Sequence, residues 1–179
     1  TQQETLFPYT TLFRSGRRES VAEHSWRVAL TALALREADP ATKAQTDLGR
    51  LLALCLVHDL GEALGGDVPA ASMPDRAAKT ARERAALAAL LAPAPEATRA
   101  AIAALWEEHE SGDTPEARLS RAADKLETVM QHAEGANPPG FDYGFNLDYG
   151  RAQTDAHPLA AALRALVDVE TAQRRDAQI

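Results

Sequence analysis

The sequence has one cysteine, few aromatic residues and no long hydrophobic run, and each shortage excludes a class of protein. Because Cys55 is the single cysteine, no disulfide can form within the chain, which favours a reducing compartment and predicts a cytoplasmic protein. Aromatic residues make up 5% of the 179 residues, which favours close-packed helices over a sheet rich in aromatic side chains. The apolar run 51–57 is too short to span a bilayer, so we expect no membrane association.

Positive charge is also scarce. The chain has 19 Lys and Arg against 26 Asp and Glu, a net charge of −7, and no segment concentrates the basic residues. Binding to a nucleic-acid backbone needs a basic face, so we expect no nucleic-acid partner. A hydrophobic share of 45% and a charged share of 25% are typical of a soluble globular protein, and the length fits one domain.

Residues 1–15, TQQETLFPYTTLFRS, differ in composition from the rest of the chain. They hold two of the four Phe and one of the three Tyr and show no helical periodicity. The peptide LFPYTTLFRS within them resembles translated sequencing-adapter sequence. We therefore predict a non-native or disordered segment at residues 1–15 and a single domain at residues 16–179.

The remaining sequence predicts an all-α fold of about six helices. Ser20 and Glu23 have the spacing of a capping box at the start of a helix that ends before Pro40. Trp26 and Trp106 fall on apolar helix faces, which predicts core residues and not substrate-stacking rings. Further helices are predicted at 42–57, 75–91, 95–110, 115–134 and 159–175, whereas the Gly- and Pro-rich segment 135–158 is predicted to be mostly loop.

Histidine and aspartate occur at four positions of these helices. His24 lies in the first turn of the first helix, His58 and Asp59 are adjacent where the second helix ends, and Asp124 lies in a later helix. Imidazole and carboxylate groups bind divalent ions such as Mn, Co, Mg, Fe, Ni or Zn. Neighbouring helical residues point about 100° apart, so His58 and Asp59 reach one ion only where the helix ends. Taken alone, the pair favours a capped helix end with a hydrogen-bonded histidine.

Three segments together resemble the HD-domain metal-dependent phosphohydrolases: GRRESVAEHSWRVAL, LVHDLGEALGGDVPA and RAADKLETVMQH. More narrowly, they resemble the branch that contains the bacterial 5′-deoxynucleotidases and their eukaryotic relatives. The resemblance implies an all-helical HD-domain bundle, commonly a homodimer, that removes the 5′-phosphate from (deoxy)nucleoside monophosphates. It also implies that one divalent metal ion is bound by His24, His58, Asp59 and Asp124.

The resemblance implies roles for the residues around these ligands. It makes Glu62 and Asp67 catalytic residues, with Glu62 in proton transfer and Asp67 in contact with the sugar. Without the resemblance, Glu62 is a solvated turn residue and Asp67 a helix cap. Arg17 and Arg18 either hold phosphate oxygens or are solvated, and Lys125 either approaches a phosphate or pairs with a carboxylate.

The sequence departs from the resembled branch in one respect and leaves other functions open. The bacterial enzymes carry an Arg-Trp pair that helps exclude a ribose 2′-hydroxyl, and Tyr9 and Thr10 stand at those positions here. The resemblance therefore leaves the discrimination between deoxyribose and ribose open. His109 is the one histidine between His58 and Asp124, too few for a second metal ion, so we predict a structural role for it.

Two alternatives to the nucleotidase function stay open. One is another HD-domain hydrolase, acting on phosphodiesters, (p)ppGpp or dNTPs, and the other is a catalytically silent, metal-stabilised interaction domain.

Overall fold

A computed structural model describes residues 9–12, 18–64 and 76–177, and these residues form nine α-helices and one antiparallel pair of strands. The strands are β1, Tyr9–Leu12, and β2, Arg18–Ser20. A 3-10 turn, Leu60–Glu62, follows the third helix. The helices are α1 Val21–Ala38, α2 Pro40–Gln45, α3 Leu48–Val57, α4 Arg76–Leu91, α5 Glu96–Ser111, α6 Pro115–Glu134, α7 Tyr143–Asp148, α8 Arg151–Thr154 and α9 Pro158–Asp176.

The all-α prediction is confirmed, and the predicted cap of α1 is present. Glu23 donates its backbone N–H to Ser20 Oγ at 3.3 Å, and the Ser20 N–H donates to Glu23 Oε2 at 3.0 Å. This reciprocal pair satisfies two of the N–H groups that the first turn leaves without helical partners.

The helix count exceeds the expected six because one predicted helix is divided and the predicted loop 135–158 contains α7 and α8. The predicted helix 42–57 is two helices, since the Asp47 carboxylate accepts the Arg50 N–H at 2.7 Å and begins α3 there. Glu116 from α6 accepts the Asp47 N–H at 2.7 Å and holds this break in place. In 135–158, predicted mostly loop, Asp142 accepts the Phe145 N–H at 2.9 Å at the start of α7.

Helix α6 lies at the centre of the fold, in contact with α1, α3, α5, α8 and α9. Its buried apolar residues recur every three or four positions, the period of one helix face. Several of them are alanines, which allow neighbouring helices to approach closely. The apolar residues of α6 form one core with residues of α1, α3 and α9. The core consists of Val28, Ala32, Leu35, Leu51, Cys55, Leu119, Ala122, Ala123, Leu126, Val129 and Ala160.

The two tryptophans differ in burial. Trp106 is 1% exposed, as predicted, whereas Trp26 is 62% exposed, so the core prediction is wrong for Trp26. The buried face of α1 passes through Val21, Val28 and Leu35 at helical spacing, and Trp26 falls off that face.

The N-terminal prediction concerns residues that the structure describes only in part. Residues 9–12 form β1, and 1–8 and 13–17 lie outside the described residues. The division between residues 15 and 16 therefore stays a prediction. In the part of the chain that the structure describes, no helix is long and apolar enough to cross a membrane.

Candidate metal centre

The four predicted ligands converge at the α1–α3–α6 contact. His24 Nε2 lies 3.3 Å from Asp124 Oδ1 and 3.5 Å from Asp59 Oδ2. His58 Nε2 lies 3.4 Å from the same Asp59 oxygen. Ligand atoms of His24, His58 and Asp124, all buried, lie within 4.8 Å of one another. Residues 100 positions apart in the sequence are thus brought within reach of one ion.

The end of α3 allows the adjacent pair to face one point. His58 keeps a helical backbone and donates its N–H to Leu54 O at 3.1 Å. Asp59 leaves the helical conformation, at φ −99° and ψ 9°, and the 3-10 turn begins after it. This change of direction overcomes the separation of about 100° that a continuous helix would impose.

Hydrogen bonds at the Nδ1 atoms prepare both histidines to bind a cation through Nε2. His58 Nδ1 donates to Cys55 O at 2.9 Å, since a carbonyl can only accept, and His24 Nδ1 lies 2.7 Å from Glu127 Oε2. A neutral imidazole has one N–H, so Nε2 keeps its lone pair. His58 Nε2 is buried and has no hydrogen-bond partner among the described residues. Such an atom, beside carboxylates, fits a divalent cation.

The electrostatics favour the metal-binding protonation states of His58 and Asp124. Burial lowers the pKa of His58 despite the nearby charges of Asp59 and Asp124, so its ring is neutral. Burial alone would raise the pKa of Asp124, but the charge of Lys125 and the hydrogen bond with His24 outweigh it and hold that pKa well below its usual value. A neutral imidazole and an ionised carboxylate are the forms that bind a metal ion.

The pKa of His24 shifts in the opposite direction to that of His58. Burial alone would lower its pKa, but Asp124, Glu127 and Asp59 outweigh burial and raise the pKa of His24 well above its usual value. The carboxylates therefore attract positive charge to this point. Binding of a divalent cation through Nε2 would displace a proton from His24.

Glu62 lies in the 3-10 turn, 6% exposed, and contacts α4. Lys79 Nζ donates to Glu62 Oε1 at 3.2 Å and lies at the same distance from Glu83 Oε1. Gly61 permits this close packing, because a Cβ there would lie 2.8 Å from Glu83 O. A buried carboxylate is thus held by an ion pair three residues after Asp59.

The other predicted site residues are only partly described. Lys125 Nζ lies 2.8 Å from Asp124 Oδ2, donates to the Tyr149 hydroxyl at 3.1 Å and lies 5.2 Å from the centre of that ring. It pairs with a predicted metal ligand, and its contact with phosphate stays a prediction. Arg17 and Asp67 lie outside the described residues, as does the Arg18 side chain, so their roles also stay predictions.

Sequence reasoning missed polar residues that surround the ligands. Glu127 follows Asp124 by three residues on the same helix face, a spacing that could have identified it. No local signal identifies Lys79, which α4 brings to the site. His109 packs against His58, with ring centroids 5.1 Å apart, and is 4% exposed. Among the residues described, no cluster of three potential ligands includes His109, and its structural role stays a prediction.

Comparison with known families gives one match that covers most of the chain. The family model described as "HD domain" matches residues 9–164. The matched segment contains His24, His58, Asp59 and Asp124, the four residues that the geometry brings together.

Similar proteins include two relatives named 5′-deoxynucleotidase and two solved structures. The chain is 34% identical over 116 residues to 5′-deoxynucleotidase HDDC2 of Danio rerio and 32% identical over 118 residues to that of Homo sapiens. These alignments cover 65% and 66% of this chain but 55% of each relative, so the chain spans little more than half their length.

One solved structure is a predicted metal-dependent phosphohydrolase from Magnetospirillum magnetotacticum MS-1. It is similar with a TM-score of 0.74 and 35% identity, over 94% of this chain and 85% of that one. A conserved hypothetical protein from Pyrococcus furiosus is similar with a TM-score of 0.58 and 26% identity, over 89% and 90%. Both likenesses extend over nearly the whole of this chain.

Proposed function

This chain belongs to the HD-domain family, and from that membership we propose that it removes the 5′-phosphate of (deoxy)nucleoside monophosphates with one divalent metal ion. Its relatives in Danio rerio and Homo sapiens are named 5′-deoxynucleotidases, which supports this substrate class. The proposed metal ligands are His24, His58, Asp59 and Asp124.

The observation that carries the proposal is the convergence of two histidines and two carboxylates in a buried cluster. His24 Nε2 lies within 3.5 Å of both Asp59 and Asp124, and His58 Nε2 has no hydrogen-bond partner in the described part of the chain. A cluster built only for stability would pair such groups fully, because an unpaired buried polar group costs about 1–3 kcal/mol.

A divalent cation held by these ligands would supply positive charge to the phosphate oxygens and would make an attacking water more acidic. The water oxygen forms the new bond to phosphorus, and the bond from phosphorus to the 5′-oxygen breaks. The products are a nucleoside and inorganic phosphate. The ionised carboxylate of Asp124 and the neutral ring of His58 are the forms that this chemistry requires.

We propose that Glu62 moves the proton that this reaction requires, either from the water or to the departing 5′-oxygen. Its carboxylate is buried, lies three residues beyond Asp59 and is held by Lys79 at 3.2 Å. The ion pair orients one oxygen, Oε1, so that the carboxylate is fixed relative to the cluster. Asp67, Arg17, Arg18 and Lys125 are proposed to contact the sugar and phosphate.

The test is phosphate release from a panel of ribo- and deoxyribonucleoside 5′-monophosphates. The protein is stripped with a chelator and then supplied with Mn²⁺ or Co²⁺. Asp59→Ala removes a proposed ligand, and Asp113→Ala is the matched control because Asp113 is exposed and lies outside the cluster.

Metal-dependent release that is lost in Asp59→Ala and kept in Asp113→Ala is the expected result. Full activity in Asp59→Ala would overturn the ligand assignment. Linear nucleotides or pyrophosphate species from other substrates, without release from monophosphates, would favour another HD-domain hydrolase. A melting temperature that rises with metal while no substrate turns over would favour an interaction domain. The ratio of deoxyribo to ribo activity measures selectivity with Tyr9 and Thr10 in place of Arg-Trp.

We also propose that the enzyme is a cytoplasmic homodimer. The buried, free Cys55 is consistent with a reducing compartment. Exposed apolar side chains on α1, Trp26 at 62% and Leu30 at 45%, offer a surface for a second copy. Light scattering on the purified protein tests the assembly: a mass near twice 19.2 kDa is expected, and a mass near 19.2 kDa would overturn it.

A further inference from the structure

Two buried carboxylates lie behind His24, on the side away from the proposed ligands. Glu127 Oε2 is 2.7 Å from His24 Nδ1, and Glu19 Oε2 is 3.9 Å from the same atom. The side chains of Glu19 and Glu127 are 0% and 1% exposed. Arg27, one turn along α1 from His24, places Nε 2.7 Å from the second oxygen of Glu127.

The two metal-facing histidines therefore have different partners at Nδ1. His58 donates to a neutral group, the Cys55 carbonyl, at 2.9 Å, whereas His24 faces a carboxylate at 2.7 Å. A charged acceptor makes a stronger hydrogen bond than a neutral one. It also increases the electron density of the ring and hence the affinity of Nε2 for a cation.

We propose that Glu127 is a positioning residue for the metal centre, which holds the His24 proton on Nδ1 and strengthens Nε2 as a ligand. Arg27 holds the other oxygen of Glu127 and balances part of its buried charge. The inference rests on the metal site of the proposed function, and it assigns the dominant role to the Glu127–His24 contact and a lesser one to the Glu127–Arg27 ion pair.

A second cation between these carboxylates is the competing interpretation. Ligand atoms of Glu19, His24 and Glu127 lie within 4.8 Å of one another, close enough to surround an ion. The geometry favours a hydrogen bond, because His24 Nδ1 carries the proton when Nε2 binds the metal, and Arg27 already supplies a positive charge at Glu127. The stoichiometry of metal binding separates the two interpretations.

The experiment measures affinity for Co²⁺ alone, without substrate, by competition with a chromophoric chelator. Glu127→Gln keeps the size of the side chain and removes its charge. Arg27→Gln removes the ion pair and leaves Glu127 to accept from His24. Glu116→Gln is the matched control, because Glu116 is also buried on α6 but accepts the backbone N–H of Asp47, away from the cluster.

The expected result is one Co²⁺ per chain and an affinity lower by about 10- to 100-fold in Glu127→Gln. Glu116→Gln should match the unmodified protein, and Arg27→Gln should lose less than Glu127→Gln. NMR of the ¹⁵N-histidine-labelled, Zn²⁺-loaded protein should show the strongly hydrogen-bonded Nδ1–H proton of His24, shifted upfield in Glu127→Gln. Circular dichroism checks folding. If Glu127→Gln does not fold, Glu127→Asp, which withdraws the carboxylate by one methylene, takes its place.

Three outcomes overturn the inference: unchanged affinity in the Glu127 variant, equal losses in the Glu127 and Arg27 variants, or two Co²⁺ per chain. A chain that binds Co²⁺ as expected but cleaves no nucleotide overturns the proposed function and leaves the inference standing. A chain that binds no Co²⁺ overturns both.

Discussion

The metal centre and the Arg164 site both bury charged groups, but only at Arg164 does every nitrogen atom have a hydrogen-bond partner. Arg164 is 0% exposed, and its Nε donates to Asp168 Oδ1 at 2.7 Å. Its Nη1 donates to Tyr149 O at 2.7 Å, and its Nη2 donates to the carbonyls of Asn146, at 2.5 Å, and Leu147, at 3.2 Å. The guanidinium thereby joins α9 to α7 and to the chain that follows it.

The metal centre shows the opposite pattern. Two carboxylates approach His24 Nε2, and His58 Nε2 has no hydrogen bond within the described ranges. A buried charge whose nitrogens all have hydrogen-bond partners adds to the stability of the fold. Buried polar groups that lack partners are costly, which indicates a site retained for binding. The comparison therefore predicts that changes at Arg164 affect stability and changes at the metal centre affect activity.

The largest effect is expected from replacing a ligand. His58→Ala and Asp59→Ala should abolish both metal binding and turnover, because the cluster loses a donor that no neighbouring residue replaces. Without metal, His58→Ala should lose less stability to urea than Arg164→Met, since His58 Nε2 has no hydrogen-bond partner among the described residues. Metal content by mass spectrometry, phosphate release and urea unfolding measure the three quantities. A ligand variant with full metal content would contradict the proposed contrast between the metal centre and the Arg164 site.

Glu62→Gln should lower the rate by about 10²- to 10⁴-fold, the usual contribution of a general acid or base. Metal content should be unchanged, because Glu62 is not among the proposed ligands. Steady-state kinetics at saturating metal and substrate give the rate. Lys79→Met, which removes the partner at Glu62 Oε1, is the companion variant and should lose less. A Glu62→Gln enzyme of normal rate would exclude this residue from proton transfer.

Arg164→Met should lower the free energy of unfolding by about 3–5 kcal/mol, because it removes the hydrogen-bond partner of Asp168 Oδ1 and of three backbone carbonyls. Turnover per folded molecule should be retained, since Arg164 contacts none of the proposed ligands. Urea unfolding gives the stability, and kinetics at low temperature give the activity. Loss of metal binding in the folded variant would show that the two sites are coupled.

Metal addition should have the smallest of these effects. An ion at 100 times its dissociation constant stabilises the folded chain by about 2.7 kcal/mol, and the melting temperature should rise accordingly.

Because the pKa of His24 is raised, its protonation stabilises the metal-free fold at pH values below the usual histidine pKa, and that contribution is lost as pH rises through the raised value. Stabilisation by metal should show the reverse trend and grow with pH. Differential scanning calorimetry across pH measures it, with Asp59→Ala as control, and a rise with falling pH would contradict the assignment.

Much of the fold could be predicted because its signals are local. The Ser20–Glu23 capping box and the helical periodicity of α6 involve residues three or four positions apart, and both are present in the structure. The prediction missed the break between α2 and α3. The cap from Asp47 to the Arg50 N–H is local, but Glu116, far along the chain, also holds Asp47 there. The exposure of Trp26 likewise depends on which face of α1 meets α6.

The candidate site likewise has features that the sequence shows and contacts that depend on tertiary packing. The residue types and the helix end at His58–Asp59 are readable in the sequence, but they indicate a cation only together with the resemblance to the HD-domain phosphohydrolases. The contact of Lys79 with Glu62 depends on the packing of α4 against the 3-10 turn, which Gly61 permits. The His24–Glu127 pair joins residues 103 positions apart.

The sequence by itself determined six helical segments, the cap of α1 and the kinds of ligand that the chain offers, because each depends on hydrogen bonds and side chains within one or two turns. Only the tertiary structure decided which atoms meet. The nitrogen of each histidine that faces the cluster and the carboxylate behind His24 follow from the crossing of α1, α3 and α6. Those distances are decided by packing between helices, on which no local pattern reports.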